Sequence, residues 1–104
     1  MHTSMFQTLA QPNRLQIVEL LYNSPHTVNE ISLRLKLNQP QTSKHLRVLA
    51  DAGIVDVTPV ANKRVYALKS KPFQELDSWL EKYRSLWNDR FNRLDTILET
   101  MKRR

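Results

Sequence analysis

The chain has 104 residues, with 16 Lys and Arg against 10 Asp and Glu, a formal charge of +6 and no cysteine. That length is one small domain, and 40% apolar residues suffice for a modest core. The lack of cysteine removes disulfides, thiolate metal sites and Cys nucleophiles and fits the cytoplasm, while a lone glycine, Gly53, excludes Gly-rich phosphate loops.

Met5, Phe6, Leu9 and Ala10 predict a short helix that stops before Pro12. Leu15, Ile17, Val18, Leu20 and Leu21 predict a second helix, apolar on more than one face and therefore well buried, ended by Asn23-Ser24-Pro25. Thr27 with Glu30 three residues on is a capping box, and the helix it opens places Val28, Ile31 and Leu35 on one face. The end of that helix is short on signals, because Lys36 stands where glycine would fit best. Asn38 and Gln41 repeat the capping pattern, with Pro40 in the first turn of the next helix. Thr42, Leu46, Leu49 and Ala50 form its inward stripe, and Gly53 closes it. Two helices joined through Lys36-Leu37-Asn38 read as a helix-turn-helix over about 27–52.

Ile54 to Thr58 alternates as a strand, and Arg64 to Leu68 forms a second. The turn between them covers Pro59 to Lys63, with Asn62 best able to take a positive φ. A two-stranded hairpin at 54–68 directly after a helix-turn-helix is the layout of a winged helix. Pro72 opens a final helix to about Met101. With no repeat, low-complexity tract or linker, residues 1–104 read as one mainly α domain. No apolar run approaches the roughly 18 residues needed to span a membrane, and residues 1–13 carry no apolar signal core.

The charge is concentrated. Arg34 to Lys71 sums to +6, flanked by −1 in Met1 to Leu33 and −2 in Pro72 to Met101, with Lys102 to Arg104 adding +3 as a tail. Such a segment is the footprint of a polyanion partner, although a solvated basic surface gives the same count. In the last helix Phe73, Leu80, Trp87, Leu94 and Met101 fall seven apart, as do Leu76, Tyr83, Arg90 and Ile97, with Trp79, Leu86, Phe91 and Leu98 beside the seam. Packing on the domain's own core accounts for part of this stripe. At ~1.5 Å per residue, however, the helix is about 45 Å long, which favours a homodimer seam for its far end.

The run Leu35-Lys36-Leu37-Asn38-Gln39-Pro40-Gln41-Thr42-Ser43-Lys44-His45-Leu46-Arg47-Val48-Leu49, followed by Ala52-Gly53-Ile54-Val55, resembles the helix-turn-helix of ArsR-type bacterial repressors. The opening Leu9-Ala10-Gln11-Pro12-Asn13-Arg14 and the hairpin end Arg64-Val65-Tyr66-Ala67-Leu68 resemble the same family. The resemblance covers about residues 5–100 and implies a dimeric winged-helix DNA-binding repressor whose first and last helices form the dimer interface. The residues this implies are Met5, Phe6 and Leu9 with Leu80, Tyr83, Trp87, Leu94 and Ile97. Three departures stand out: Lys36 for the turn glycine, Thr42 for the usual valine, and a wing turn without glycine. The family's metal-site residues are absent, and His2, His26 and His45 lack ligand-like spacing, so no metal or other cofactor is expected.

A recognition helix reads base edges in the major groove of double-stranded DNA with its N-terminal residues. Here these are Gln39, Gln41, Thr42, Ser43 and Lys44, with Arg47 one turn on to hold phosphate and His45 balanced between groove contact and packing. Lys63 and Arg64 would track the flanking backbone from the wing. A rival reading makes the long aromatic-rich helix a docking module for a partner protein or an anionic membrane. An enzyme is not expected: Asp77 and Glu81 form an ordinary helix-surface pair, and no Ser-His-Asp arrangement or metal cluster is present. With no metal or thiol chemistry, a repressor of this kind would be switched off by a small effector between the dimer helices, by a sequestering protein, or by no effector at all.

Overall fold

The computed structural model describes residues 2–102, apart from the side chains of residues 2 and 90–92. Arg90 in the seam, Phe91 beside it and the terminal Arg103 and Arg104 therefore lie outside the described side chains. The elements run α1 (His2–Leu9), α2 (Pro12–Asn23), β1 (His26–Thr27), α3 (Val28–Leu35), α4 (Gln39–Asp51), β2 (Val55–Val60), β3 (Lys63–Leu68) and α5 (Ser70–Lys102). They divide into two units, Met1–Pro72 and Phe73–Arg104.

In the first unit the local signals act as expected. Thr27 Oγ1 accepts from the Glu30 N–H at 3.3 Å, and Glu30 Oε1 accepts from the Thr27 N–H at 2.9 Å, completing the capping box. The bond from the Thr27 backbone, foremost, holds the Glu30 carboxyl below its ordinary pKa. Asn38 Oδ1 caps α4 through the Gln41 N–H at 2.8 Å. The α2 cap is a less common one, with Gln11 Oε1 accepting from the Arg14 N–H at 3.0 Å.

Both helix-turn-helix helices stop in a left-handed residue. After α4, Gly53 (φ 75) sends its N–H to the Ala50 carbonyl and Ile54 sends its N–H to Leu49, a Schellman motif closed by two buried side chains. After α3 the same place is taken by Lys36 (φ 57, ψ 43), and the Lys36 and Leu37 N–H groups both reach the Ser32 carbonyl. A side chain with a Cβ is strained in that conformation by about 1 kcal/mol.

The sheet differs from the expected hairpin in two respects. It has three antiparallel strands in the order β1-β3-β2, because His26 and Thr27 pair with Tyr66 and Val65. A two-residue strand leaves no alternation to detect in sequence. The wing also extends further than predicted: Val60 pairs with Lys63, leaving only Ala61 and Asn62 as the turn. Pro59 is tolerated inside β2 because β2 is an edge strand. The positive φ falls on Ala61 (φ 56) rather than Asn62. Positive φ at the first turn residue alone is the type II′ pattern, which matches the right-handed strand twist.

Ile17, Val18 and Leu21 of α2, Ile31 of α3, Leu46 and Leu49 of α4, and Ile54, Val55 and Tyr66 at the wing base form the core. Leu15, expected to be buried with its neighbours, is 42% exposed, because α2 turns only one flank inward. Met5 is 8% exposed and belongs to this core, so it offers little surface to a second chain.

α5 runs as one helix from Ser70 to Lys102, with Pro72 in its first turn. Arg84 bonds both Asp77 and Glu81 along the polar flank, and the Trp79 and Tyr83 rings lie 4.9 Å apart.

The two strained residues give a direct expectation. Lys36→Gly and Ala61→Gly should each raise unfolding free energy by about 0.5–1 kcal/mol, read as a higher urea midpoint at unchanged slope. A lower midpoint for either would mean that the left-handed conformation is not held there in solution.

Candidate nucleic-acid interface

α4 is divided lengthwise. Thr42, Leu46 and Leu49 face the core and are 0% exposed, whereas Gln39, Gln41, Ser43, Lys44 and Arg47 are exposed. The predicted reading residues are thus displayed together on the outer side of one helix, with one correction. Thr42 cannot touch a groove-bound ligand, because its hydroxyl accepts from Ser32 Oγ at 2.9 Å and donates to the Asn38 carbonyl at 2.9 Å. The inward periodicity of Thr42, legible in the sequence, outweighs its polar side chain.

His45 lies on the margin between the two faces and is half-buried, with Nδ1 enclosed and without a hydrogen-bond partner. Its pKa is pushed below the usual 6.5, first by burial and then by the positive charges of Arg14 and Lys44. Arg14 is a residue that sequence reasoning passed over. Its Nε donates to the Thr8 carbonyl at 2.7 Å, which fixes the guanidinium where α1 meets α2 and directs its charge toward the flank of α4. No spacing rule signals this, because the two residues are brought together only by the fold.

The wing cations form a second group. Lys63 and Arg64 are exposed and, with Thr27, Val28, Asn29 and Asn62, line an open cleft of about 280 Å³ between the start of α3 and the wing tip. The cleft exists because β1, which ends on the N-cap of α3, Thr27, is paired with the wing strand β3. Asn29 and Asn62 were not singled out as site residues, and a turn asparagine is a weak signal by itself.

The ion pairs leave these cations aside. Lys69 pairs with Asp56 at 3.7 Å, and Arg84 is held by two carboxylates. Among the described residues none of Lys44, Arg47, Lys63 and Arg64 joins an ion pair. These four cations therefore form an uncompensated surface, suited to an anion that arrives from outside.

A helix-turn-helix with a three-stranded wing and an exposed row of amide, hydroxyl and cationic side chains defines a winged-helix DNA-binding regulator. The model for the arsR family of bacterial regulatory proteins matches residues 11–57. HTH-type transcriptional regulator Rv2034 of Mycobacterium tuberculosis is 35% identical over 78 residues, covering 75% of this chain and 73% of that protein. A biofilm growth-associated repressor of Agrobacterium fabrum is 38% identical over 64 residues, 62% of this chain and 55% of the relative. Among solved structures, an ArsR family transcriptional regulator, RHA00566, superposes with a TM-score of 0.72 at 29% identity, over 83% of this chain and 94% of that one. Reduced HlyU from Vibrio cholerae does so with 0.67 at 29% identity, over 79% and 86%. The chain belongs to the ArsR family and is a DNA-binding transcriptional regulator, not an enzyme.

The depressed pKa of His45 has a sign. Its folded value lies below 6.5, so the unfolded chain takes up that proton first, and stability falls as pH drops through 6.5 toward the folded value. His45→Gln should lose less stability than the wild-type chain between pH 7 and pH 5.5 in paired thermal melts. Parallel losses would show that His45 does not titrate in this way.

Proposed function

We propose that the chain is a homodimeric repressor that grips a pseudo-palindromic operator with two copies of α4 and two wings. The observation that carries the reading is the row of exposed, ion-pair-free cations beside Gln39, Gln41 and Ser43 on a helix whose other face is locked in the core. Gln suits the bidentate edge of adenine, Ser serves base or phosphate, and Lys44 reaches guanine or phosphate. Arg47, Lys63 and Arg64 hold backbone phosphates, and His45 with Arg14 flanks them. In this reading residues 1–104 act as one module in the cytoplasm.

Dimerisation is supported by the apolar residues left in solvent. On α5 Trp87 is 62% exposed, and Leu80, Tyr83, Leu94 and Ile97 are exposed as well. On α1 Phe6 is exposed and Leu9 half-buried. Burial of such a stripe against its symmetry mate contributes a gross gain of about 25 cal/mol per Å², from which the cost of association is subtracted. A two-fold axis then sets half-site centres about 34–36 Å apart, or a multiple of that. Bound across a promoter, the dimer blocks polymerase by occupying its path. The relatives' names include a repressor and, in HlyU of Vibrio cholerae, a transcriptional activator. Release of DNA by a small ligand between the dimer helices, or by a sequestering protein, fits a chain without thiols. The exposed α5 stripe equally favours a second reading, a docking face for a different protein.

The test starts from a duplex selected by the protein from a random-sequence pool, compared with its scrambled version at two salt concentrations. Wild type should prefer the selected duplex by about a thousandfold. Gln39→Ala/Ser43→Ala should remove at least about tenfold of that preference. Lys63→Ala/Arg64→Ala should weaken both duplexes alike and reduce the salt slope by about 0.9 for each phosphate that is no longer neutralised. Equal, weak and steeply salt-dependent binding of wild type to both duplexes would refute sequence-specific reading. Sedimentation should give twice the 12.3 kDa chain mass. Leu94→Glu should shift that value toward the monomer and cut operator affinity at least about tenfold. A monomeric wild type at micromolar concentration would favour the docking reading.

A further inference from the structure

We propose that the buried hydroxyl pair Ser32–Thr42 is the positioning element that fixes the rotation of α4 against α3, and through it the base selectivity of Gln39, Gln41 and Ser43. The inference rests on the reading that α4 enters the major groove.

Three observations converge on Ser32. Its carbonyl receives the N–H groups of Lys36 and Leu37, which closes α3 and sets the course of the turn. Its hydroxyl donates to Thr42 Oγ1 at 2.9 Å across the helix-turn-helix. Both side chains are removed from water, Ser32 being buried and Thr42 fully so. Thr42 passes the bond on by donating to the Asn38 carbonyl, while the Asn38 side chain caps the Gln41 N–H. One serine on α3 therefore holds both ends of the turn and the first turn of α4. Among the described residues no other side-chain hydrogen bond joins α3 to α4.

The physical distinction is between attraction and direction. The Leu46 and Leu49 contacts draw α4 onto the core, but apolar burial is non-directional and tolerates small rotations about the helix axis. A hydrogen bond restricts distance and angle, and breaking this one leaves a hydroxyl buried without a partner. The lever is short. Side-chain tips lie about 5–6 Å from the axis, so a 10° rotation displaces them by about 1 Å. That displacement is enough to spoil a bidentate base contact, whereas a flexible Lys or Arg on phosphate follows it. Thr42 sits between Gln41 and Ser43, so the pin acts at the residues whose direction matters most.

The experiment measures affinity for the pool-selected duplex and its scrambled version, with melting temperature, for four variants. Thr42→Val keeps the shape and removes the bond; it should cut the preference about tenfold while affinity for the scrambled duplex stays within about twofold. Thr42→Ser restores the hydroxyl and should retain most of the preference. Ser32→Ala/Thr42→Val, with both polar groups gone, should be no worse than Thr42→Val alone, because no buried hydroxyl is left unpaired. Reselection of the pool by Thr42→Val should blur the base positions under the first turn of α4. Ser32→Ala leaves Thr42 bonded to the Asn38 carbonyl and carries the same test should Thr42→Val fail to fold. The inference is overturned if the preference is unchanged in Thr42→Val and Ser32→Ala. It is equally overturned if both duplexes lose affinity together in step with melting temperature, the mark of a bond that only stabilises. A wild-type chain without preference would remove the DNA-reading premise itself, and that failure appears before any variant is compared.

Discussion

A helix proposed to read DNA has to be held rigidly on one side and left bare on the other, and in a chain of this size that division governs much of the structure. α4 meets it with three fully buried side chains, Thr42, Leu46 and Leu49, against six exposed polar or charged ones. The buried set is small, so the ends of the helix do a large share of the positioning. At one end Asn38 caps the helix and the turn is closed on Ser32; at the other Gly53 turns the chain and drives Ile54 into the core beneath the wing. A frayed end at either place would release the reading face or the wing, because a 13-residue helix has little stability apart from its packing.

The strained residues belong to the same logic. Lys36 adopts a left-handed conformation that glycine would take more cheaply, and Ala61 does so at the wing tip. Each site adjoins a cation-bearing surface, and each strain is small beside the total stability of a folded domain. A lysine at the turn keeps one more positive charge near α4 than glycine would. The charge distribution supports this view: Asp77 and Glu81 of α5 are engaged along their own helix by Arg84, and among the described residues Lys44, Arg47, Lys63 and Arg64 join no ion pair. Intramolecular pairing of those cations would add little stability at a surface and would have to be broken on contact with a polyanion.

Much of this was legible in the residues, for identifiable reasons. Caps, a C-terminal glycine and the apolar period of α4 act locally, so Thr27, Asn38, Gly53 and the Leu46–Leu49 stripe declare themselves within a few positions. The left-handed Lys36 was equally readable, as the residue standing where glycine belongs. What escaped depends on distant parts of the chain. The pairing of His26 and Thr27 with β3 joins segments about forty residues apart through a strand too short to show alternation. The fixing of Arg14 near His45 likewise arises only when α1, α2 and α4 are assembled. The wing turn fell to Ala61 because register, set by the strands on either side, overrode the preference of Asn62 for positive φ. Thr42 was read correctly as inward and incorrectly as a contact, since burial and polarity give opposite signals until its partner Ser32 is known.

α5 raises a question of scale rather than of pattern. At 33 residues it extends about 50 Å, and among the described side chains its large apolar residues from Leu80 onward remain exposed in the single chain. A soluble monomer rarely keeps a continuous apolar stripe of that length in water, since patches above a few hundred Å² mark a surface that another molecule covers. A second copy satisfies the constraint with the least additional apparatus, because a two-fold axis presents the same stripe to itself. It also serves the reading head. One α4 contacts too few bases to stand out against the non-specific sites of a genome, whereas two held at fixed separation multiply their discrimination without any new contact. In the proposed dimer the length of α5 and the small reading face of α4 address the same need: a helix that reads little would be made selective by a helix that pairs.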